Sequence, residues 1–196
     1  MIKKINDPQI FKLQALQWAA ACNVFCYLDS NNFVDQYSKF DCLIAAGVKD
    51  DLVAASGKAF DELDTFRKKN PGWMPGFFGY DLKNETENLS SLNADNLHFP
   101  DLYFFVPQYL ILIKGNEIEI LADDPQQVFD QIQNQPDIRS GGQPALKIQS
   151  RLSKAEYLAT IAKVKEHISR GDIYVTNYCQ EFFAENAAIN PLAVFF

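Results

Sequence analysis

The sequence predicts an α+β fold in which mostly antiparallel strands form sheets that are faced by helices. Two observations favour this class. The clearest strands come as a hairpin, and strand and helix patterns alternate irregularly, without the regular strand-helix-strand units of a parallel sheet. The hairpin is predicted over residues 102–122, where two runs rich in β-branched and aromatic residues flank a turn at residues 114–117.

The first third of the chain predicts a helix followed by two strands. Asp7 is a suitable N-cap and Pro8 suits the first helical turn, so an amphipathic helix is expected to begin there. A short apolar run at residues 24–28 has the length of a strand and is followed by turn residues. A second strand is predicted over residues 41–48.

Two further helices are predicted, one before and one after the hairpin. Phe60, Leu63 and Phe66 lie three positions apart, which indicates one buried helical face, and residues 70–72 would end that helix. Asp124 and the proline after it open another helix, which should run to about residue 135.

Residues 136–146 are the best candidate for a linker, because Pro, Ser and paired Gly resist both helices and strand ladders. The predicted organisation is a first domain over residues 1–135 and the start of a second domain over residues 147–196. The second part opens with a capping box formed by Ser153 and Glu156.

The helix that follows the capping box has an apolar stripe and a glycine stop. The stripe consists of Tyr157, Ile161, Val164 and Ile168. Gly171 ends the helix, and a strand-like run is expected from Ile173 onward.

The last residues suggest that the second domain is incomplete. Asn190 and Pro191 open a new helix, yet the chain stops at Phe196. A frayed tail is the simpler alternative. If the domain is truncated, unpaired strand edges and exposed apolar surface are expected around Tyr174 and residues 182–196, which would favour self-association.

Composition narrows the classes of partner. Hydrophobic residues make up 47% of the 196 residues and charged residues 22%, as in soluble globular proteins. The net charge of −7 is spread along the chain without a basic stripe, which argues against nucleic-acid binding. No apolar run approaches bilayer length, so no membrane partner is expected. The four cysteines show no metal-binding spacing, and free thiols favour a cytoplasmic location.

Two stretches could carry chemistry. Glycines 72, 76 and 79 match neither the dinucleotide fingerprint nor the P-loop, so close packing of strand backbones is the favoured interpretation. The stretch YLDSNNFVDQYSKFD, at residues 27–41, places hydroxyls, aromatic rings and a cation close together. These groups could line a site for a small polar ligand, and a surface turn beside a strand is an equally fair alternative.

Four stretches, in this order, resemble the chorismate-utilising family, and most closely its para-aminobenzoate branch, component I of 4-amino-4-deoxychorismate synthase. They are YLDSNNFVDQYSKFD, MPGFFGYDLKNETENL, FPDLYFFVPQYLILI and LSKAEYLATIAKVKEHISRGDIYVTNYCQEF. The resemblance spans nearly the whole chain and implies the N-terminal part of the component I fold. Val175 and Glu181 depart from the family pattern, which commonly has glutamine and arginine there, and this leaves the branch open.

The resemblance implies an enzyme that aminates chorismate, with ammonia delivered by a glutamine amidotransferase partner, on the route to para-aminobenzoate and folate. Mg²⁺ is the implied cofactor. Its ligands and all catalytic residues would lie beyond Phe196, so no residue of this chain is assigned a catalytic or metal-binding role. Anthranilate synthase component I is the alternative in the same family, with isochorismate or salicylate synthase behind it. A non-catalytic amino-acid-binding or docking domain is the alternative of another class.

The resemblance also implies an amino-acid pocket, in which tryptophan is the expected ligand. The matching positions in this sequence are Ser30, Tyr37, Ser38, Lys39 and Phe40. Hydroxyl and backbone groups would hold the ligand's carboxylate and ammonium, while aromatic faces would pack against the indole.

Overall fold

The computed structural model describes residues 1–90, 95, 97–136 and 146–195, which fall in two units, Met1–Asp137 and Ile138–Phe196. The interior of the predicted linker, residues 137–145, lies outside the described residues. The elements of the first unit are β1 (Ile2–Lys4), α1 (Pro8–Ala19), β2 (Phe25–Asp29), β3 (Cys42–Ala54), α2 (Ala59–Lys69), β4 (Gly76–Phe78), a 3₁₀ turn (Tyr80–Leu82), α3 (Lys83–Thr86), β5 (Leu102–Lys114), β6 (Glu117–Leu121) and α4 (Pro125–Gln133). The elements of the second are β7 (Gln149–Ser150), α5 (Lys154–Arg170), β8 (Phe182–Phe183) and α6 (Pro191–Phe195).

The first unit is built on one sheet that contains both long and short strands. All of its described strand pairs are antiparallel. The strand order is β1-β6-β5-β3-β2, and β4 pairs with the first residues of β5 beyond that path. The long strands β3 and β5 lie at the centre and pair over nearly their whole lengths. The predicted α+β class with antiparallel strands and helices on the sheet is confirmed.

One face of the sheet carries the main core, because alternate residues of β3, β5 and β6 point toward α1 and α4. Ile44, Ile111 and Ile118 are fully buried there. Phe11 of α1 stacks on Phe129 of α4 with ring centroids 5.8 Å apart. Burying a side chain of this size contributes about 1.5–3 kcal/mol, so this layer supplies much of the driving force for folding.

The opposite face of the sheet holds a second, smaller cluster. Leu43 and Leu110 are buried in it, and Phe40 and Tyr103 pack against it. The alternation of Leu43 and Ile44 between the two faces is the period-two pattern of a strand with apolar residues on both sides.

Three local predictions, two helix caps and one hairpin turn, are confirmed at the residues that the sequence indicated. Asp7 caps α1 by accepting hydrogen bonds from the amides of Gln9 and Ile10 at 3.0 Å. Asp124 caps α4 by accepting a hydrogen bond from the amide of Gln127 at 3.0 Å. The hairpin of β5 and β6 turns at Gly115, whose φ of 53° lies in the left-handed region that glycine tolerates.

Two predictions in the central region are wrong in part. The strand predicted over residues 41–48 continues to Ala54, because a bulge between Val48 and Asp50 lets the polar second half pair with β5. On α2 the buried residues are Ala59 and Phe66, whereas Phe60 keeps 41% of its surface exposed.

Helix α2 takes its N-terminal cap from a distant residue. Lys58 at the N-cap position offers no side-chain hydrogen bond. Instead, Glu85 accepts from the amides of Gly57 and Ala59, at 2.6 and 2.7 Å. A carboxylate at a helix N-terminus satisfies free amides and complements the helix dipole, so the segment after β4 is tied to α2.

The second unit confirms the predicted helix. Ser153 and Glu156 form the capping box of α5, and Gly171 ends it with a φ of 81°. The strand expected from Ile173 does not form, and the short strand β8 pairs with β7 instead. The expected apolar exposure is present, since Tyr174 is 95% and Phe182 is 67% exposed.

Gly76 of β4 meets the backbone of β5 so closely that an added Cβ would overlap the carbonyl oxygen of Tyr103. The close packing expected of the glycine-rich stretch is thus present at Gly76 and also at Gly79, whereas at Gly72, whose φ is 129°, nothing lies within 4 Å of an added Cβ. We predict that Gly76→Ala lowers the free energy of unfolding by about 1–3 kcal/mol, because backbone must shift to admit the methyl group. Urea denaturation followed by circular dichroism measures the change.

The matched control for that variant is Gly115→Asn. No atom lies within 4 Å of a Cβ built there, and asparagine tolerates a positive φ. Equal losses of stability in both variants would contradict the argument from close packing.

Candidate functional site

A cleft of about 600 Å³ lies where the start of α1, the loop between β2 and β3, and the turn between β5 and β6 come together. The three segments converge because the end of β2, the start of β3 and the end of β5 lie at the same end of the sheet's strands. The wall of the cleft carries apolar and polar side chains and charged groups of both signs. The lining residues are Pro8, Gln9, Lys12, Ser30, Asn32, Phe33, Val34, Asp35, Asp41, Lys114, Gly115 and Asn116.

Lys12, which lines the cleft, belongs to a buried ion pair. Lys12 lies on the inward side of α1 and donates from Nζ to Oδ1 of Asp29 at 2.8 Å, with 6% of the lysine side chain and 20% of the aspartate side chain exposed. Asp29 also accepts from the hydroxyl of Tyr27 and the amide of Asn31, both at 3.0 Å. The carboxylate therefore has three donors, which is the arrangement that a buried charge requires.

These contacts alter the acidity of the groups around Asp29. Partial burial alone would raise the pKa of Asp29, but the hydrogen bonds from Lys12, Asn31 and Tyr27 lower it below its ordinary value. Burial raises the pKa of Tyr27 most, and repulsion from Asp29 and from Cys42 in its thiolate form raises it further. Burial is also the main reason why the pKa of Cys42 rises to about 12. Asp29 is thus ionised, while the Tyr27 hydroxyl and the Cys42 thiol are neutral at neutral pH.

Asp41 joins the loop to the hairpin turn on the other side of the cleft. Its Oδ2 accepts from the amide of Gly115 at 2.7 Å and its Oδ1 from Nζ of Lys114 at 2.8 Å. Its own carbonyl accepts from the amide of Ser30 at 2.8 Å. The hydrogen bond from Gly115, followed by the one from Lys114, lowers the pKa of Asp41.

Of the residues predicted for the amino-acid pocket, only Ser30 lines this cleft. Tyr37 is 83% exposed, and Lys39 is also exposed. The hydroxyl of Ser38 donates to the carbonyl of Phe40. Phe40 packs on the second core cluster and makes an edge contact with Trp73 at 6.0 Å.

Sequence reasoning missed Lys12 and Lys114 as residues of the cleft. For Lys12 a signal was available, because it occupies a position between Phe11 and Ala15 on the buried side of α1. A lysine on the apolar stripe of an amphipathic helix requires a partner charge. Lys114 gave no such signal, since lysine is ordinary at a hairpin turn.

The described part of the chain contains neither a metal-binding cluster nor a membrane-spanning helix. Among the residues that the structure describes, no group of three His, Cys, Asp or Glu side chains could hold a metal ion. These residues therefore do not fit the Mg²⁺ that the resemblance implies, and no step of chemistry is assigned to the ion here. Within the same residues, no helix has the length and apolar character needed to cross a membrane.

Comparison with known proteins connects this architecture to a family. The family described as chorismate binding enzyme matches residues 23–196. The chain belongs to the chorismate binding enzyme family. The match includes β2, the loop with Ser30 and the whole of the second unit.

Two curated relatives carry anthranilate synthase names. The chain is 28% identical over 120 residues to an anthranilate synthase component I-like protein of Synechocystis sp., which is 58% of this chain and 24% of that protein. It is 28% identical over 125 residues to anthranilate synthase component 1 of Buchnera aphidicola subsp. Pemphigus spyrothecae, covering 55% of this chain and 24% of that protein. The alignments thus span about a quarter of the length of either relative.

A solved structure supports the fold. The crystal structure of anthranilate synthase component I from Streptococcus pneumoniae aligns with a TM-score of 0.58 and 16% identity, over 86% of this chain and 47% of that one. At this identity the similarity shows the fold of the chain alone. It does not assign a reaction to this member of the chorismate binding enzyme family.

The hydrogen bonds of Asp41 predict a dependence of stability on pH. Because the folded pKa of Asp41 is lowered, its contribution is complete above the ordinary value of 3.8 and is lost as the pH falls through the folded pKa. We predict that Asp41→Asn is less stable than the unmodified chain at pH 7, and that the difference shrinks below pH 4. Thermal unfolding between pH 2 and pH 7 measures it.

Asp123→Asn is the control, because the Asp123 side chain is 92% exposed and its nearest cation, Lys49, is 3.7 Å away. A difference between Asp41→Asn and the unmodified chain that stays constant over this pH range would contradict the role given to Asp41.

Proposed function

We propose that this chain is the N-terminal part of component I of a chorismate-aminating enzyme, 4-amino-4-deoxychorismate synthase. The observation that carries the proposal is the family match over residues 23–196. The chain also has the family motifs in their family order. The complete enzyme would replace a hydroxyl of chorismate by ammonia, which requires a proton for the departing hydroxyl and neutralisation of substrate charge.

Other components of the proposal follow from the same family relation. A glutamine amidotransferase subunit would supply the ammonia. Mg²⁺ would bind the substrate's carboxylate through ligands in a part of the protein beyond Phe196. The motifs YSKF, at residues 37–40, and NYCQEF, at residues 177–182, favour the para-aminobenzoate branch.

Anthranilate synthase component I is the second candidate. The names of the two curated relatives and of the aligned crystal structure favour it. Both reactions start from chorismate and ammonia, so the chemistry expected of the complete enzyme differs only in where nitrogen enters the ring and whether pyruvate leaves.

The products of the two reactions separate the candidates. We predict that the complete gene product, given chorismate, Mg²⁺ and ammonium, forms 4-amino-4-deoxychorismate, detected by liquid chromatography with mass spectrometry. Fluorescent anthranilate with release of pyruvate would instead assign the second candidate. The 196-residue chain alone is the control and should form neither product. Turnover by this control would contradict the placement of the catalytic groups beyond Phe196.

The amino-acid pocket is a separate part of the proposal. Tyr37 and Lys39 would present an aromatic face and a cation, and the exposure of both side chains makes them accessible to a ligand. Ser30 and Ser38 would add hydroxyl groups, and Phe40 an apolar wall. Tryptophan suits this combination because its indole packs on aromatic rings while its carboxylate needs a cation.

We predict that L-tryptophan binds to the chain in isothermal titration calorimetry, and that Tyr37→Ala weakens binding about fivefold through loss of an aromatic contact. Tyr80→Ala is the matched control, because Tyr80 is 85% exposed, close to the 83% of Tyr37, and lies outside the YSKF motif of the pocket. Equal weakening by both variants, or no binding at all, would remove the pocket from the proposal.

A further inference from the structure

The second half of β3 has a free edge. β2 pairs with β3 only from Cys42 to Ala46. Residues 48–54 therefore have β5 on one side and, among the described strands, no partner on the other. An unpaired edge of this kind presents backbone N–H and C=O groups with which another strand can pair.

The backbone groups of Asp51 and Val53 point to this free edge. Phe105 donates its amide to the carbonyl of Pro75, on the β4 side of β5, so its backbone groups point away from β3. Asp51 lies opposite Phe105, and opposed residues of an antiparallel pair either both face each other or both face away. Val53, two positions further on, has the same orientation. The Asp51 amide already interacts with the Asp50 carboxylate, which leaves the Asp51 carbonyl and both groups of Val53 for a new strand.

A groove of about 390 Å³ lies between β3 and one flank of α2. Phe60, on the other flank of α2, contacts Phe78 of β4 with ring centroids 6.2 Å apart. Glu62 and Thr65 lie about half a turn of the helix away from Phe60 and line the groove together with Leu52 of β3. Since β4 lies on the β5 side of the sheet, the groove is on the side of the free edge.

The groove combines apolar and acidic groups. Phe66 is 7% exposed and Leu52 is half-buried, and both line the groove. Asp61 and Glu62, on its wall, are exposed and make no ion pair within the described residues. Asp51 adds a third carboxylate at the free edge. Such a surface complements an extended segment that carries both apolar and basic side chains.

The basic residues of this region do not cancel the three carboxylates. Lys69 is paired with Asp50 at 2.8 Å, and Lys49 lies 3.7 Å from Asp123. Lys58 remains, as one cation on the wall of the groove. The unpaired charge beside the free edge is therefore negative.

A second copy of this chain does not complement the free edge. Asp51 is the middle residue of the segment 48–54. Two copies paired antiparallel about a two-fold axis would therefore place Asp51 opposite Asp51, and like charges directly opposite each other destabilise a strand pair. A basic strand from another polypeptide has no such conflict.

We propose that the free edge of β3 is a docking site to which an extended, basic segment of another polypeptide adds as a strand. The main chain of the segment pairs with Asp51 and Val53. One apolar side chain packs in the groove against Leu52 and Phe66, and a Lys or Arg side chain reaches Glu62. Main-chain hydrogen bonds supply the affinity in this mode of recognition, and side-chain pockets supply the specificity. The inference does not depend on which reaction the complete enzyme performs.

The probe is the acetylated and amidated peptide Thr-Lys-Val-Ile-Lys-Val-Lys-Thr, titrated into the isotopically labelled 196-residue chain and followed by nuclear magnetic resonance. The amide signals of Val53 and Thr65 should shift and saturate. Two peptides that are N-methylated at alternate positions keep the side chains, but each blocks one edge of the peptide. One of the two should bind about tenfold more weakly or less. A peptide with Glu in place of each Lys should also bind about tenfold more weakly or less.

Variants of the chain test the two parts of the site. Val53→Pro removes the outward N–H and should weaken peptide binding by about tenfold or more, while the fold tolerates proline on an edge strand. Glu62→Gln should weaken binding about threefold, as expected for one exposed charge pair. Asp64→Asn, on the same helix but outside the groove, is the matched control and should leave binding unchanged.

Glu62→Gln and the N-methylated peptides keep the test informative if Val53→Pro unfolds the chain, because Glu62 is exposed. Unchanged signals of the edge amides at about 1 mM peptide would overturn the inference, as would equal weakening by Glu62→Gln and Asp64→Asn. Dimerisation in analytical ultracentrifugation that Val53→Pro abolishes would also overturn it and would assign the edge to a second copy. None of these results bears on the chorismate assay, so the two proposals fail separately.

Discussion

The antiparallel pairing of β3 with β5 is the constraint on which the rest of the first unit depends. Each strand has 13 residues, and the two pair from Cys42 with Ile113 to Ala54 with Leu102. This pairing sets which residues face α1 and α4 and which face the second cluster, because a slip of a single position would exchange the two faces. The strands β6 and β4 pair with β5, and β2 pairs with β3, so the register of each depends on this central pair.

The cleft is a consequence of where this central pair begins. Asp41 precedes β3 and accepts from the turn that follows β5, while Asp29 ends β2 beside it. Two ion pairs, Lys12 with Asp29 and Lys114 with Asp41, therefore help to hold these segments together at the same end of the strands. Loops positioned by a rigid sheet in this way are common places for ligand sites.

Local signals predicted the elements that depend on local interactions. Asp7, Asp124 and Ser153 cap helices where the sequence places them, and the hairpin follows its turn residues. The predictions fail where residues that are distant in sequence determine the local structure. The polar half of β3 is a strand because β5 pairs with it, and α2 is capped by Glu85 from another segment. Among the residues of the candidate cleft, the sequence motifs identified Ser30. No local pattern could show that Ser30 lies in the same cleft as Lys12 and Lys114.

The Lys12–Asp29 pair is better explained by the cleft than by stability. Removing two charges from water costs several kcal/mol, and apolar residues of similar volume usually stabilise a core as well as a buried ion pair does. Lys12 lies among apolar residues of α1, whose burial carries no such desolvation cost. What the lysine adds is a desolvated cation at the wall of a cleft, held in place by a carboxylate that three donors keep ionised. A cation held in this way gives the cleft a fixed positive charge, which an apolar residue at the same position could not provide.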